Sequence, residues 1–342
     1  MHLDRNPIMP PDNIRTSACP ACKVCGAIGI PLHADLIDRL FGVTGSWQMK
    51  QCPSPDCGLA WLDPAPLEAD LALLYKGYHT HAPETKRAKQ PIHLRSILYG
   101  IYLKLSYVPS AVLGLARERQ ELLHMHLMNS PPGALLDVGC GDGGLLKRMS
   151  DLGWKVAGVD FDEKAIENAK AQYGFDVRTS DLACANYPDN SFDALTLNHV
   201  IEHVPNPIAL LAEGKRVLKP GGRLIAATPN IQSLGHRTFG DCWRGLEPPR
   251  HLQIFSVKAL GNCARRAGFD SVTAASSAAN ADSIVGATLS IQASKRHGAA
   301  ALNAGQINIA RGLRSLIFQY REAVSRWRRP EVGEEVVLIC QK

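Results

Sequence analysis

From residue 133 onward, short apolar runs alternate with amphipathic stretches. ALLDV (134–138) reads as a strand, followed by a glycine turn and the helical pattern GLLKRMSDLG. WKVAGVDFD (154–162) reads as a second strand, EKAIENAKAQYG (163–174) as a helix and FDVRTSD (175–181) as a third strand. FDALTLNHVIEHV (192–204) begins as a fourth strand and runs into a polar knot. LLAEGKRVLKPGGRLIAATPN (210–230) gives a helix, a PGG turn and a fifth strand, and HLQIFSVKALGNCARRAGF (251–269) gives another amphipathic helix. DSVTAASS (270–277) and EEVVLICQK (334–342) read as the last two strands. Apolar strands separated by helices predict an α/β domain on a doubly wound, Rossmann-like sheet.

Between the last two strands, where a short hairpin would suffice, residues 278–333 intervene. Residues 278–305 are rich in Ala, Ser and Gly and predict a loosely ordered stretch. INIARGLRSLIFQYREAVSRWRR (307–329) predicts an amphipathic helix. Its apolar stripe is Leu313, Leu316, Ile317, Tyr320, Val324 and Trp327, and its basic side is Arg311, Arg314, Arg321, Arg328 and Arg329. Such a helix fits a lid, a homodimer arm or an anionic-membrane contact. SILYGIYLKLSYVPSAVLGLA (96–116) is apolar but interrupted by Lys104 and Pro109. That argues against a membrane span and for a helix packed on the main domain, with an interfacial helix as the alternative. The Leu spacing predicts a short helix over 66–75. The expected organisation is a flexible N-terminus (1–18), a small module (19–63), a helical linker or lid (64–130) and the α/β domain (131–342) carrying the 278–333 insertion.

Composition narrows the function classes. Of 342 residues, 45% are apolar and 20% charged, a globular balance that excludes a wholly disordered chain. The net charge of +6 is too small to argue for a nucleic-acid partner. Five of the ten cysteines precede residue 58, and MHLDRNPIMPPDNIRTS has no apolar core of a secretory signal. The expectation is a reducing, cytoplasmic setting and a metal site rather than disulfides. Cys22-x2-Cys25 and Cys52-x4-Cys57 form two thiolate pairs with 26 residues between them. Two close pairs supply the four soft ligands of tetrahedral zinc. Gly26 and Gly58 follow each pair directly and let backbone amides turn toward the sulfurs. Cys19 competes for the first pair, and His33 ranks lower because it lies between the pairs. No open coordination position is needed, so the expected role is structural.

The second concentration of chemistry is the loop after ALLDV. Gly139, Gly141 and Gly143 permit a tight turn with close backbone approach to a ligand, and the helix that follows starts with free amides. Asp160 lies 21 residues beyond Gly139, where an acid can hold two ribose hydroxyls. A dinucleotide fold uses the same geometry. Asp137 before the glycines favours an amino-acid ammonium group, since no pyrophosphate needs that carboxylate. Asn198, His199, Glu202 and His203 fall at the C-terminal end of the fourth strand, where open α/β sheets place their chemistry. His199 and His203 are the first candidate bases, facing one way at i,i+4 if a helix begins there, with Glu202 pointing elsewhere. A metal pair from these two histidines lacks a third ligand of obvious spacing. HRTFGDCWRGLEPPRHLQIF (236–255) is a second polar cluster, with His236, Arg237, Trp243, Arg244 and Arg250 as substrate contacts and His251 as an alternative base.

Together LLDVGCGDGG, GVDFD, SDL, FDALTLNHVIEHVPNP, VLKPGGRLIAATPN and HLQIFSVKALGNCARRAGF resemble a class I S-adenosylmethionine-dependent methyltransferase over roughly 133–275, with the last strand at 334–341. The EHV-x-NP and PGG-x-L-x-x-x-TPN parts resemble the branch of ubiquinone-type and sugar-type O-methyltransferases. The front end resembles a zinc ribbon. The resemblance implies a seven-stranded sheet whose last strand is antiparallel. It implies that Gly139, Cys140, Gly141 and Gly143 line the methionine part of the cofactor, with Asp137 near its ammonium end. By the same resemblance Asp160 binds the ribose, Phe161 lies beside the adenine, Asp181 and Leu182 meet its edge and face, and Asn198 and His199 border the sulfonium.

The leading expectation is methyl transfer from S-adenosyl-L-methionine to a small-molecule acceptor, most simply a hydroxyl oxygen, with Zn2+ in the front module. The alternatives are a lipid or membrane-associated acceptor, a zinc-binding interaction protein with a non-catalytic methyltransferase fold, and an RNA methyltransferase. The last lacks an N-PP-Y or D-PP-Y motif after the fourth strand, where Asn198-His199 stands instead.

Overall fold

The computed structural model describes residues 14–75, 109–297 and 309–342. Residues 1–13, about half of the expected linker (76–108) and residues 298–308 lie outside them, and so does the larger part of the 96–116 segment.

The N-terminal module runs through β1 (Thr16–Ser17), β2 (Ile30–Leu36), β3 (Trp47–Gln51), β4 (Ala60–Leu62) and β5 (Ala65–Pro66), then a 3-10 turn at Glu68–Tyr75. β2, β3 and β4 form an antiparallel meander, and β1 pairs with β5. The expectation of a loose 1–18 segment therefore does not hold at Thr16–Ser17. Arg15 also reaches across to Asp70, Nε to Oδ2 at 2.9 Å and Nη2 to Oδ1 at 2.7 Å.

Helix α1 (Leu115–Leu123) leads into the main domain. There β6 (Ala134–Val138), α2 (Gly144–Asp151), β7 (Lys155–Asp160), α3 (Glu163–Tyr173), β8 (Asp176–Thr179), β9 (Phe192–Asn198), α4 (Pro207–Val217) and β10 (Leu218–Pro229) alternate as the pattern predicts. After α5 (Leu234–Phe239), β11 (Gln253–Ile254), α6 (Val257–Arg266) and β12 (Ser271–Ser277), two helices, α7 (Ala281–His297) and α8 (Ile309–Ser325), precede β13 (Glu335–Gln341). The seven-stranded sheet has the order β12-β13-β10-β9-β6-β7-β8. Strands β6 to β10 are mutually parallel, and β13 inserts antiparallel to both β10 and β12. The sheet is the expected Rossmann-like methyltransferase sheet with an antiparallel last strand. Leu135, Leu136, Ala194, Leu195 and Leu197 are fully buried because helices cover both faces.

Local signals explain the boundaries. The Asp162 side chain accepts the Ala165 N–H at 3.2 Å to start α3, and Asn206 accepts the Ala209 N–H at 3.0 Å to start α4, with Pro207 at its first position. The PGG segment is not a free turn. β10 pairs at Leu218 and again from Arg223, so residues 219–222 bulge out of one continuous strand. The Ala-rich stretch expected to be loose holds helix α7, since Ala favours helix and α8 packs along it.

The front module is built into the main domain. β11 comes from residues 253–254 yet pairs with β4, completing a four-stranded sheet β11-β4-β3-β2. Cys22, Val24, Cys52, Cys57, Leu59 and Trp61 share one core with Leu136, Leu195, Phe255 and Leu260. Buried Arg250 ties the seam: Nε donates to Glu247 at 2.9 Å, Nη2 donates to Asp38 at 3.0 Å, and the guanidinium lies 4.0 Å over the Phe41 ring. Breaking one side of a fully buried ion pair leaves an uncompensated charge. Arg250→Met should therefore lower unfolding stability by about 3–5 kcal/mol, seen as a fall in the urea midpoint. An unchanged midpoint would show that the seam does not depend on it.

Candidate active site

The glycine loop sits at the C-terminal end of β6. Gly139, Gly141 and Gly143 have φ of +76°, +51° and +81°, the left-handed region that glycine adopts without strain. A Cβ on Gly139 would collide with Val200 Cγ2, so side chains are excluded there by space as well. The Gly141 N–H donates to Asp160 Oδ2 at 2.9 Å and the Asp162 N–H to Oδ1 at 2.9 Å. These two bonds fix the Asp160 carboxylate at the end of β7, beside the loop. Phe161 is 74% exposed on the rim, while Leu182 is buried. Asp181 Oδ1 accepts the Cys184 N–H. Asp137 is buried and accepts the Thr196 hydroxyl at 2.6 Å, and burial pushes its carboxyl up to about 7. Burial likewise raises the Cys140 thiol, which disfavours its reactive thiolate form.

The polar knot after β9 differs from its expected geometry. No helix starts there, and residues 201–203 form a turn. His199 has φ +55° at the strand end and is held between two carboxylates. Its Nε2 lies 2.8 Å from Glu335 Oε1 on β13, and its Nδ1 lies 3.3 Å from Glu202 Oε1. The side chain is 40% exposed on one face, yet both nitrogens point inward. Burial opposes its charge, but the bonds to Glu202 and Glu335 outweigh that and raise it to about 10. With both ring nitrogens on carboxylates, His199 is placed as an anchor between Glu202 and Glu335, not as the base that the sequence suggests. Glu202 does not point elsewhere. Burial opposes its ionisation, yet His199 holds it down at about 2, and its Oε2 accepts the Thr228 hydroxyl at 2.9 Å.

His203 turns to the other side. Its Nδ1 lies 3.0 Å from the Arg250 carbonyl oxygen and 3.0 Å from the Tyr75 hydroxyl. A carbonyl only accepts, so Nδ1 carries the proton and Nε2 is left as the acceptor nitrogen. His251 packs edge-on against His203 with ring centroids 4.8 Å apart, and its Nδ1 donates to the Gly245 carbonyl at 2.7 Å. Burial lowers His251 to about 4, so its ring is neutral. Glu202, His203 and His251 place one ligand atom each within 4.8 Å of one another. The His199–His203 metal pair weighed from the sequence is not among these groups: His203 meets His251 instead, 48 positions further along the chain.

Of the other candidates of the 236–255 cluster, Arg237 is exposed, 3.9 Å from Glu331, and the rest make internal contacts. Trp243 Nε1 donates to buried Glu334 at 2.6 Å, Arg244 pairs with Glu247, and Arg250 closes the seam. His236 Nε2 lies 2.9 Å from His33 Nε2, a second tie between domain and module that takes His33 out of the cysteine site. Tyr75, which reaches His203 from the front module, carried no signal in the sequence.

The four cysteines converge. Sγ of Cys22 and Cys57 are 3.6 Å apart, those of Cys25 and Cys52 are 3.3 Å apart, and all four lie within 4.8 Å of one another. A tetrahedral Zn–S4 site has S–S edges of about 3.8 Å, so the set fits a metal. Gly26 and Gly58 take φ of +79° and +70° directly after each pair. Cys19 lies outside the set. Its carbonyl accepts the Trp61 indole N–H at 2.7 Å.

The strand order, glycine loop and acid at the end of β7 define a class I S-adenosylmethionine-dependent methyltransferase fold. Residues 113–274, just under half of the chain, match a family model described as a methyltransferase domain. The chain is 35% identical over 164 residues to a probable S-adenosylmethionine-dependent methyltransferase of Mycolicibacterium smegmatis, covering 46% of this chain and 62% of that protein. It is 37% identical over 107 residues to a ubiquinone biosynthesis O-methyltransferase of Xanthomonas campestris, covering 29% of this chain and 44% of that one. A solved S-adenosylmethionine-dependent methyltransferase from Archaeoglobus fulgidus overlays with a TM-score of 0.43 at 19% identity, covering 67% of this chain and 93% of that one. The chain thus spans less than two thirds of the length of these curated relatives.

If His199 is an imidazolium, stability falls off on both sides of a central pH window. The His199 contribution is fully present below pH 6.5 and lost as pH rises through about 10. That of Glu202 is present above pH 4.5 and lost as pH falls toward 2. Nitrogen NMR should show both His199 ring nitrogens protonated at pH 8, and Glu335→Gln should move the titration down. Deprotonation of the wild-type ring near pH 6.5 would refute the assignment.

Proposed function

We propose that this chain transfers a methyl group from S-adenosyl-L-methionine to a small-molecule acceptor, and that the acceptor atom is a hydroxyl oxygen. The observation that carries the reading is the cradle formed by the Gly139–Gly143 loop and the fixed Asp160 carboxylate. Its residues fit the cofactor. The backbone of Gly139, Cys140, Gly141 and Gly143 would follow the methionine part, with Asp137 beneath, and Asp160 would take the ribose hydroxyls. Phe161, Asp181 and Leu182 would border the adenine, and Asn198 and His199 the sulfonium. The similarity to O-methyltransferases over 107 residues supports oxygen as the acceptor.

When bound, the cofactor supplies a sulfonium that activates its own methyl group for in-line displacement. The chain's residues supply position and a proton acceptor. His203 keeps its Nδ1 proton on the Arg250 carbonyl, so Nε2 is placed to take the acceptor's proton. His251 and Tyr75 hold that ring in place. His199 with its two carboxylates carries a net charge of about −1, which suits a cationic neighbour and orients Glu202. A second reading rests on the Glu202–His203–His251 triangle. These nitrogen and oxygen donors suit a divalent cation, which would acidify the acceptor hydroxyl in place of a free base.

Calorimetric titration with S-adenosylmethionine should show one site per chain, weakened by Asp160→Ala. Absence of binding by the wild type would end the reading. With an acceptor in hand, His203→Gln should lower kcat by about 10²–10⁴ while leaving cofactor affinity intact. Insensitivity to EDTA selects the free base, and loss restored by a divalent cation selects the second reading.

We further propose that Cys22, Cys25, Cys52 and Cys57 hold a structural Zn2+ that braces the module against α6, in a reducing compartment such as the cytoplasm. Ser256 Oγ bonds the Cys57 carbonyl, Arg266 bonds the Val24 carbonyl, and Asn262 donates to the Asp56 carbonyl at 2.8 Å. Metal analysis should find one zinc per chain. Cys22→Ser and Cys57→Ser should lose it and unfold at lower temperature. Retention of both metal and stability in these variants would remove the site.

A further inference from the structure

Helix α8 is amphipathic in an unusual sense, because it has two apolar faces. One packs inward through Leu316, Phe318 and Ala323, with Gln319 bonded to the carbonyls of Ala278 and Ala279. The other faces solvent. Leu313, Ile317, Val324 and Trp327 are exposed, Ile317 at 57% and Trp327 at 74%. With half-buried Tyr320 they follow a 4-3-4-3 spacing, so they form one straight row along the helix and the tighter turn that extends it. Beside that row, on one flank, stand Arg314, Arg321 and Arg328 at intervals of seven, all exposed.

The charge of this face is one-sided. The only acid between 309 and 329 is Glu322, which is fully buried and accepts the Glu334 N–H at 2.9 Å. Among the described residues no ion pair involves Arg314, Arg321 or Arg328. At the C-terminal end of the row, Arg321, Arg328, Arg329 and Arg237, the last 3.9 Å from Glu331, surround Val324 and Trp327 in a groove of about 570 Å³. An antiparallel second copy of the helix would bring two arginine rows together on one side of the seam, with no carboxylate of either helix exposed between them, so that pairing is opposed by charge. A surface with anionic groups directly above an apolar layer matches both rows at once. The apolar row would enter the acyl boundary while the guanidiniums stay with the phosphates.

We propose that α8 docks this chain on an anionic lipid bilayer, with Ile317, Val324 and Trp327 inserted and Arg314, Arg321 and Arg328 on the lipid phosphates. The inference stands apart from the methyl-transfer reading, since it rests on no residue of the cofactor cradle.

The test is flotation of the full chain with vesicles of phosphatidylcholine alone or with about one third phosphatidylglycerol. Binding is expected only with the anionic vesicles, and it should weaken strongly at about 0.5 M salt. Arg314→Ala, Arg321→Ala and Arg328→Ala should each reduce partitioning by about fivefold, and Ile317→Ser with Val324→Ser should abolish it. All these side chains are exposed, so thermal melting should match the wild type. Comparing wild type with Trp327→Phe isolates one indole among five, whose emission should shift blue on the vesicles and be quenched by brominated acyl chains. No flotation with anionic vesicles, or flotation indifferent to these substitutions, would overturn the proposal. So would a solution dimer that Ile317→Ser dissociates, or saturable binding to an acidic protein helix without binding to vesicles.

Discussion

One imidazolium organises the working edge of this protein. His199 ends β9, and its two N–H groups engage Glu202 in the following turn and Glu335 at the start of β13. Glu202 in turn binds Thr228 on β10, and Glu335 accepts the Asn280 amide at 2.9 Å. A single charge thus connects the ends of three neighbouring strands and the entry to α7. Burial opposes the Glu202 charge, and the bond to His199 offsets that cost, because an unpaired buried charge costs several kcal/mol. The left-handed backbone at His199 is the local consequence: the ring has to leave the strand direction to reach both acids.

The same edge explains why the front module is not an appendage. His203 takes its orientation from the Arg250 carbonyl, while the Arg250 side chain is held by Asp38 and Glu247. Tyr75 closes on the same histidine from the end of the module. The cysteine cluster stiffens the other side of that module, against α6. Site and module therefore share one hydrogen-bonded framework, in which the pairing of β4 with β11 links the module to the strand that follows His251.

The inserted helices do two things at once. The inner face of α8 extends the core and presents Glu322 to the backbone just before Glu335. Its outer face exposes Leu313, Ile317, Val324 and Trp327. The insertion thus lies beside the functional edge of the sheet although it is remote from the glycine loop in sequence.

The sheet, the glycine loop with Asp160, the cysteine pairs and the two-sided chemistry of 307–329 were all legible in the chain. Each is written in local spacing: apolar runs of strand length, glycines at alternate positions, paired thiols, and periodicity near 3.6. Helix α7 was misread because small residues signal loop and helix alike until a partner helix covers them. The pairing of His199 with Glu335 spans 136 positions, and that of Arg250 with Asp38 spans 212. No periodicity reports contacts of that range. The sequence by itself determined which segments become strands and helices, and where a nucleotide-like ligand and a metal fit. Only the tertiary structure decided that His199 sits between two carboxylates, that His203 is oriented by the Arg250 carbonyl beside His251, and that β11 joins the front module to the main domain. A side chain's protonation and freedom follow from the groups that long-range folding brings against it.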